Sequence, residues 1–159
     1  QAEHMRRTRL MSHNDTLRSI RYILNVHDAK LAETFALGGQ SDTSPAVVSA
    51  MLTPEDAPGH VPCTELLMAQ FLNGLVVFKR GKDETRPPQP VEIPVTNNVV
   101  LKRLRVAFEL RDEALIALLA KTGFQVSKTE LSAFFRRPDH RNYRTCGDQF
   151  LRNLLKALS

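Results

Sequence analysis

Two cysteines are the residues of this sequence best suited to nucleophilic or redox chemistry. Cys63 and Cys146 each lie where a predicted helix begins, and the partial positive charge of a helix N-terminus stabilises a thiolate. A reactive or redox-active pair is therefore one interpretation. The other is a small buried residue at a tight helix entry, which is favoured because Glu65 and Asp148 follow the cysteines by two residues and oppose a thiolate. We expect two reduced, buried thiols.

Metal binding and catalysis find little support in the residue spacing. His60 stands three residues before Cys63, whereas His140 stands six residues before Cys146, and no further cysteine completes a zinc set. The sequence also lacks a glycine-rich phosphate loop, a G-x-S-x-G elbow and an H-E-x-x-H helix. We therefore predict no catalytic residue, no metal site and no cofactor, and interpret the protein as non-enzymatic.

The cysteines open two versions of one phrase, CTELLMAQFLNGL at 63–75 and CGDQFLRNLLKAL at 146–158. Longer segments that start at Asn14 and Asn98 align at a constant offset of 84 residues. The aligned pairs are Asn14 and Asn98, Leu17 and Leu101, Arg21 and Arg105, Asp28 and Asp112, Leu31 and Leu115, Ala36 and Ala120, and Gly39 and Gly123. Pro54 then aligns with Pro138, and a one-residue slip brings Cys63 onto Cys146. The chain is therefore an internal duplication.

Each copy is predicted to contain four short helices, because apolar residues recur at helical spacing between capping signals. We expect Asp28 and Asp112 to be the N-caps of the second helices, and Gly39 and Gly123 to end them. The third helix of the second copy opens with the capping box SKTE at Ser127. The fourth helix of the first copy is apolar almost all round, which predicts burial between the copies or across a dimer.

Four prolines between residues 87 and 94 favour an extended segment that joins the two copies. The predicted fold class is all-α, an internal duplication of a four-helix repeat joined by an extended Pro-rich strap. We divide the chain into an N-terminal tail (1–13), a first repeat (14–75), a helix end with the Pro-rich linker (76–96) and a second repeat (97–159). No apolar run of membrane-spanning length and no apolar signal-peptide core is present, which predicts a cytoplasmic protein.

Several longer stretches carry a resemblance to a known family. They are FLNGLVVFKRGKDE before the Pro-rich strap, and then LKRLRVAFEL, VSKTELSAFFR and NYRTCGDQFLRNLLKAL. From about Asn14 onward the chain resembles the YehS-like family of bacterial proteins, whose domain is of unknown function. The resemblance implies two tandem copies of that domain. It brings no known activity, so it assigns no catalytic residue.

Charge divides the two copies. Residues 14–75 hold three basic and seven acidic residues, a net charge of −4, whereas residues 97–159 hold twelve basic and six acidic residues, a net charge of +6. Such a split indicates that the copies no longer do the same work. It also predicts that the acidic copy and the basic copy attract each other, within one chain or head to tail between chains.

Two functions are compatible with these patterns. The first is a helical interaction module that binds a protein partner or itself through the complementary repeats. The alternative is a nucleic-acid-binding accessory factor that uses the basic face of the second repeat, where residues 118–135 have the order of a helix-turn-helix. A generic helical hairpin is the favoured explanation of that order. The predicted contacts to nucleic acid or to an acidic partner are Lys128, Arg136, Arg137, Arg141, Arg144 and Arg152.

Overall fold

The computed structural model describes residues 10–40 and 42–159, and within these ranges the regular structure is entirely helical. The helices are α1 (His13–Leu24), α2 (Asp28–Leu37), α3 (Pro45–Leu52), α4 (Glu65–Arg80), α5 (Asn97–Ala107), α6 (Asp112–Lys121), α7 (Lys128–Phe134) and α8 (Asp148–Leu158). The all-α fold class and the duplicated four-helix repeat are thus confirmed. Of the predicted N-terminal tail, residues 1–9 lie outside the described ranges, while Ser12 caps α1 and His13 begins it.

Most helix ends follow the capping chemistry read from the sequence. Ser127 and Glu130 form the predicted capping box of α7. The predicted N-caps of α2 and α6 are wrong by one residue, since His27 and Arg111 occupy those positions. The two aspartates stand in the first turn of the helices, where their charge complements the helix N-terminus, and they pair with arginines of the preceding helix. The pairs are Arg21 Nε with Asp28 at 3.1 Å and Arg105 Nη2 with Asp112 at 2.9 Å.

A buried asparagine at the start of each copy ties three segments of that copy together. Asn14 Nδ2 donates to the carbonyls of Met51 and Val61 at 2.8 and 3.0 Å, and Asn14 Oδ1 accepts the N–H of Cys63 at 2.9 Å. Asn98 does the same in the second copy, with Phe134, Arg144 and Cys146 as its partners. We call these two sets of bonds the asparagine clips. They hold the first helix, the end of the third helix and the entry of the fourth helix of each copy in register.

The hydrogen bonds also relocate the one-residue slip between the copies. The Ser44 and Ser127 caps already differ by 83 residues, so the slip lies in the loops before them. In the loops that follow, Pro54 accepts from the N–H three residues on, and its counterpart in that role is Arg137. The predicted pairing of Pro54 with Pro138 is therefore wrong by one position, because the loop between the second and third helices is already one residue shorter in the second copy.

The two copies pack reciprocally, since the first helix of each lies against the last helix of the other. Helix α1 contacts α8, and α5 contacts α4. Helix α4 also packs closely on α2 of its own copy, where Gly38 and Gly74 face the opposing backbone. A β-carbon at Gly74 would overlap the Thr34 carbonyl oxygen, so only glycine allows this approach. The apolar helix α4 is thus buried between the copies.

Carboxylates near the start of the last helices fasten this arrangement in matching ways. Glu65 Oε1 accepts the backbone N–H of Val95, which precedes the first helix of the other copy, at 2.9 Å. Asp148 Oδ2 likewise accepts the N–H of Met11 at 2.9 Å, and its Oδ1 accepts from Asn97 Nδ2 at 2.7 Å. Met11 and Val95 are related by the repeat offset of 84 residues. The two copies are therefore related by an approximate twofold axis.

No helix in the described ranges combines the length and the apolar character that crossing a membrane would require.

Candidate interaction surface

Both cysteines lie in the protein interior, at the base of the fourth helix of their copy. Cys63 is 6% exposed and Cys146 is 1% exposed, and both are free thiols. Burial raises the pKa of the Cys63 thiol to about 12. Burial, with a smaller contribution from Asp148, raises the pKa of the Cys146 thiol to about 12 as well. Burial confirms the interpretation of both cysteines as small interior residues, and the raised pKa of each thiol disfavours a thiolate at neutral pH.

The histidines near the cysteines serve loop structure. His60 Nδ1 lies 3.0 Å from the Thr53 carbonyl oxygen, and His140 Nδ1 accepts the N–H of Asn142 at 3.0 Å. Among the described side chains, no group of three histidine, cysteine, aspartate or glutamate residues is placed to hold a metal ion. The exposed loops of the two copies are therefore the candidate site.

The loops between the third and fourth helices share three backbone hydrogen bonds in the two copies, although Gly59 has a positive φ of 81° and its counterpart Asn142 does not. We call residues 53–63 the acidic loop and residues 135–146 the basic loop. In the acidic loop, the N–H of His60 donates to Ala57 and that of Val61 donates back to Ala50 of α3. Tyr143 and Arg144 make the corresponding bonds to His140 and Ala133, each offset by 83 residues. The two loops therefore make the same order of turns in the two copies.

The side chains on these equivalent backbones have opposite charge. The acidic loop carries Glu55 and Asp56, both exposed, and holds neither lysine nor arginine. The basic loop carries four exposed arginines, Arg136, Arg137, Arg141 and Arg144, and one aspartate.

The arginines of the basic loop are weakly engaged. Arg137 Nε lies 3.4 Å from Asp139, and both side chains are more than two-thirds exposed. Arg136 Nη1 lies 3.5 Å from His140 Nε2. Within the described ranges, Arg141 and Arg144 make no ion pair. Because exposed pairs of this kind are worth about 0 to 1 kcal/mol, the loop is available to an outside anion or carboxylate.

The remaining predicted contacts lie elsewhere. Lys128 is exposed at the first residue of α7, the helix that leads into the basic loop. Arg152 is half-buried on α8 and lines a groove beside α1, together with Arg18. Four of the six predicted residues thus converge on one loop, while Lys128 flanks it and Arg152 belongs to another surface.

The helix-turn-helix-like order is present as α6, a turn at 122–127 and α7. Helix α7 has only seven residues. Its Leu131 is fully buried, and its Phe134 ring packs 4.7 Å from that of Phe150. Because these side chains face the core, only the first turn of α7 and the loop that follows it can contact a groove of nucleic acid. The loop, more than the helix, is the exposed basic element.

Two features of the fold were missed at the level of sequence. The first is the pair of asparagine clips: the sequence shows Asn14 and Asn98 only as aligned residues and does not indicate their hydrogen bonds. The second is a buried ion pair between Arg103, which is 6% exposed, and Glu92 of the strap at 2.8 Å. In the sequence, this ion pair was indicated only by the presence of one glutamate among the prolines of the strap. Arg103 is therefore removed from the basic surface, whereas its neighbour Lys102 pairs with Glu92 at 2.9 Å but stays exposed.

Comparison with known proteins agrees with the duplication. Residues 13–81 and 97–159 each match the family described as "Protein of unknown function (DUF1456)". The chain is also 44% identical over 149 residues to "Uncharacterized protein YehS" of Escherichia coli (strain K12), which covers 94% of this chain and 95% of that protein. No solved structure matches the chain. Neither description assigns a reaction, a ligand or a partner.

Proposed function

This chain belongs to the DUF1456 family of proteins of unknown function, and from that premise we propose that it is a non-enzymatic interaction module. In this proposal the acidic loop of one molecule binds the basic loop of another. A contact between two different surfaces is heterologous, so it builds head-to-tail dimers, rings or short chains. The same basic loop also receives acidic loops or segments of other proteins.

One observation carries the proposal: two loops with the same order of turns and the same backbone hydrogen bonds have net charges of opposite sign. The charges themselves stand at different positions, since Arg136, Arg137 and Arg141 correspond to Thr53, Pro54 and Pro58 at the offset of 83 residues, and Asp139 corresponds to Asp56. Complementary charge raises association rates and selects partners more than it adds affinity. We therefore expect weak, fast and salt-sensitive association.

Among the described residues, no ion pair joins the acidic loop to the basic loop. Arg80 pairs with Glu109 across the two copies at 3.5 Å, outside both loops. In the part of the chain that the structure describes, Arg136, Arg141 and Arg144 reach no carboxylate. Attraction between the acidic and basic repeats is thus expected between molecules.

A charge swap tests the proposal by sedimentation velocity at about 50 and 500 mM salt, which spans strong and weak screening. An Arg136→Glu, Arg141→Glu variant has two acidic loops, and a Glu55→Arg, Asp56→Arg variant has two basic loops. We expect the wild type to associate at low salt, each variant alone to stay monomeric, and their mixture to associate again. Lys121→Glu is the matched control, because Lys121 is exposed in the second copy but lies outside the loop.

Restored association in the mixture cannot arise from a general loss of folding. A monomeric wild type at low salt, or a mixture that stays monomeric while the wild type associates, would contradict the proposal.

A second candidate, nucleic-acid binding, is favoured by one specific observation: four exposed arginines share a single loop beside the first turn of α7. Arginines spaced along a loop suit duplex phosphates, whose contacts provide affinity without sequence selection. In this proposal Arg136, Arg137, Arg141 and Arg144 contact the backbone, with Lys128 beside them.

Fluorescence anisotropy of labelled duplex DNA and RNA at several salt concentrations tests this candidate. We expect binding that falls steeply with salt in the wild type. An Arg136→Ala, Arg137→Ala variant is expected to reduce the log–log salt slope by about 2, because each lost phosphate contact releases about one counterion fewer. Lys121→Ala is the control. Absence of binding at low salt would end this candidate.

A further inference from the structure

The approximate twofold axis creates two equivalent grooves, and the described chain covers only one of them. The first groove lies between α4 and α5, and the second lies between α8 and α1. The Pro-rich strap, residues 81–96, crosses the first groove on its way from α4 to α5.

The strap is held in the first groove by two kinds of contact. Asn73 Nδ2 of α4 donates to the backbone carbonyls of Gln89 and Pro90 at 3.0 and 3.3 Å. Lys102 Nζ and Arg103 Nη2 of α5 donate to Glu92 Oε1 at 2.9 and 2.8 Å. An extended segment with one carboxylate is thus bound through its main chain on one side and through its charge on the other.

The second groove, which we call the α1–α8 groove, forms a cavity of about 400 Å³. Residues at the repeat offsets of 84 on α1 and 83 on α8 replace those that hold the strap. Its walls include Arg18, Ser19, Tyr22, Arg152, Leu155 and Lys156. Arg18 and Ser19 stand where α5 has Lys102 and Arg103, and Lys156 stands where α4 has Asn73. Donors therefore face the α1–α8 groove at the positions that bind the strap.

The surface of this groove is cationic and partly apolar. Tyr22 is 73% exposed, and Lys156 is exposed without an ion pair in the described ranges. Arg18 Nη2 binds Asp15 at 3.2 Å, but its Nη1 is buried and has no hydrogen-bond partner among the described residues. The Arg18 side chain as a whole is still 30% exposed, so its guanidinium group can bind an arriving carboxylate from the groove side.

We propose that the α1–α8 groove binds an extended acidic segment of a partner protein in the way that the first groove binds the strap. Lys156 donates to its main-chain carbonyls, Arg18 receives its carboxylate, and Tyr22 packs on its apolar side chains. This site lies outside the acidic and basic loops, so the proposal stands independently of head-to-tail association. Recognition mainly through carbonyls and a carboxylate tolerates prolines in the bound segment, as in the strap.

The composition of the N-terminal residues argues for an outside occupant. At the repeat offset, residues 5–9 correspond to strap residues 89–93. Thr8 falls where the strap has Glu92, and Arg6, Arg7 and Arg9 surround it. Residues 5–9 therefore offer no carboxylate in the place of Glu92. An acidic segment of another protein has the complementary charge.

The test uses the full chain and two synthetic peptides in a heteronuclear NMR titration. One peptide has the strap sequence QPVEIPV, and the other has lysine in place of its glutamate. We expect the first peptide to shift the backbone amides of α1 and α8 around the groove, and the second to leave them unmoved. Lys156→Glu is expected to weaken binding about fivefold, since it reverses one exposed charge contact.

The control variant Lys128→Glu changes an exposed lysine of the second copy outside the groove and should bind as the wild type does. Lys156 is exposed, so its substitution leaves the core intact, and an unchanged thermal melt verifies this. No shift of the groove amides at several millimolar peptide, or equal shifts with the lysine peptide, overturns the proposal. So does a spectrum of unliganded Lys156→Glu in which the amides of residues 6–9 move, because the occupant would then be the chain's own N-terminal segment.

Discussion

Removal of an asparagine clip is predicted to destabilise the whole fold. Asn14 is 5% exposed and Asn98 is 6% exposed, and each makes three hydrogen bonds with backbone groups of its own copy. Alanine at either position leaves a cysteine N–H without an acceptor and two carbonyls without a donor. An orphaned buried group costs about 1 to 3 kcal/mol, and a lost bond costs about 0.5 to 1.5 kcal/mol. We expect each alanine variant to lose about 3 kcal/mol.

Urea unfolding followed by circular dichroism measures this loss directly. For a chain of this size, a loss of about 3 kcal/mol lowers the midpoint temperature by about 6 to 12 °C. The urea dependence of the free energy of unfolding should stay unchanged, since the exposed surface of the unfolded chain is the same. Asn142→Ala is the matched control, because Asn142 is exposed in the basic loop and should change stability by no more than about 0.5 kcal/mol.

The two clips share no partner, so the double variant should lose about the sum of the single losses. That sum is comparable with the total stability of many small domains, and the double variant is expected to be largely unfolded at 37 °C. A loss below about 1 kcal/mol in either single variant, with an unchanged urea dependence, would refute the reasoning that these bonds hold the helices of each copy in register.

Three further predictions concern the core, the strap and the thiols. Gly74→Ala should cost about 1 to 3 kcal/mol or more in thermal or urea unfolding, because its β-carbon meets the backbone of α2; a neutral effect would mean that the helices separate freely. Glu92→Ala should cost about 3 kcal/mol by leaving Arg103 buried and unpaired, and a loss under about 0.5 kcal/mol would show the pair to be dispensable. Burial raises the pKa of Cys63 and Cys146 to about 12, above the unfolded value, so stability should fall as the pH rises from about 9 toward 12. Replacing both cysteines with alanine should flatten that decline, and an identical decline would contradict the raised pKa.

The duplicated fold allows one copy to serve as the control for the other. Both copies keep the asparagine clip and the arginine–aspartate pair, which maintain the backbone. Charge has diverged on the loops, where it leaves the backbone unaltered. The close helix contact is also confined to one copy, since Thr122 and Ala157 replace the two glycines in the other. The two copies thus share their framework and differ in the charge of their surface.

Much of this protein was determined by the sequence alone, because the deciding interactions are local. The capping box at Ser127 joins residues three apart, and the apolar stripe of α8 repeats within each helical turn. The duplication was equally visible, since it requires only comparison of the chain with itself. The four arginines of the basic loop were found in the same way, because they lie within nine residues of one another.

Only the tertiary structure decided how the two copies meet and which surfaces remain open. The bond from Met11 to Asp148 joins residues 137 apart, and no local pattern specifies such a pairing. The aspartates expected to be N-caps form ion pairs with arginines of a neighbouring helix. Arg103 is buried against the strap, where it pairs with Glu92, and so does not belong to the basic surface. The strap covers one groove while the described chain leaves its twin uncovered, although both arise from the same repeated helices. Long-range placement sets the environment of a charge, and therefore sets whether that charge holds the fold together or faces a partner.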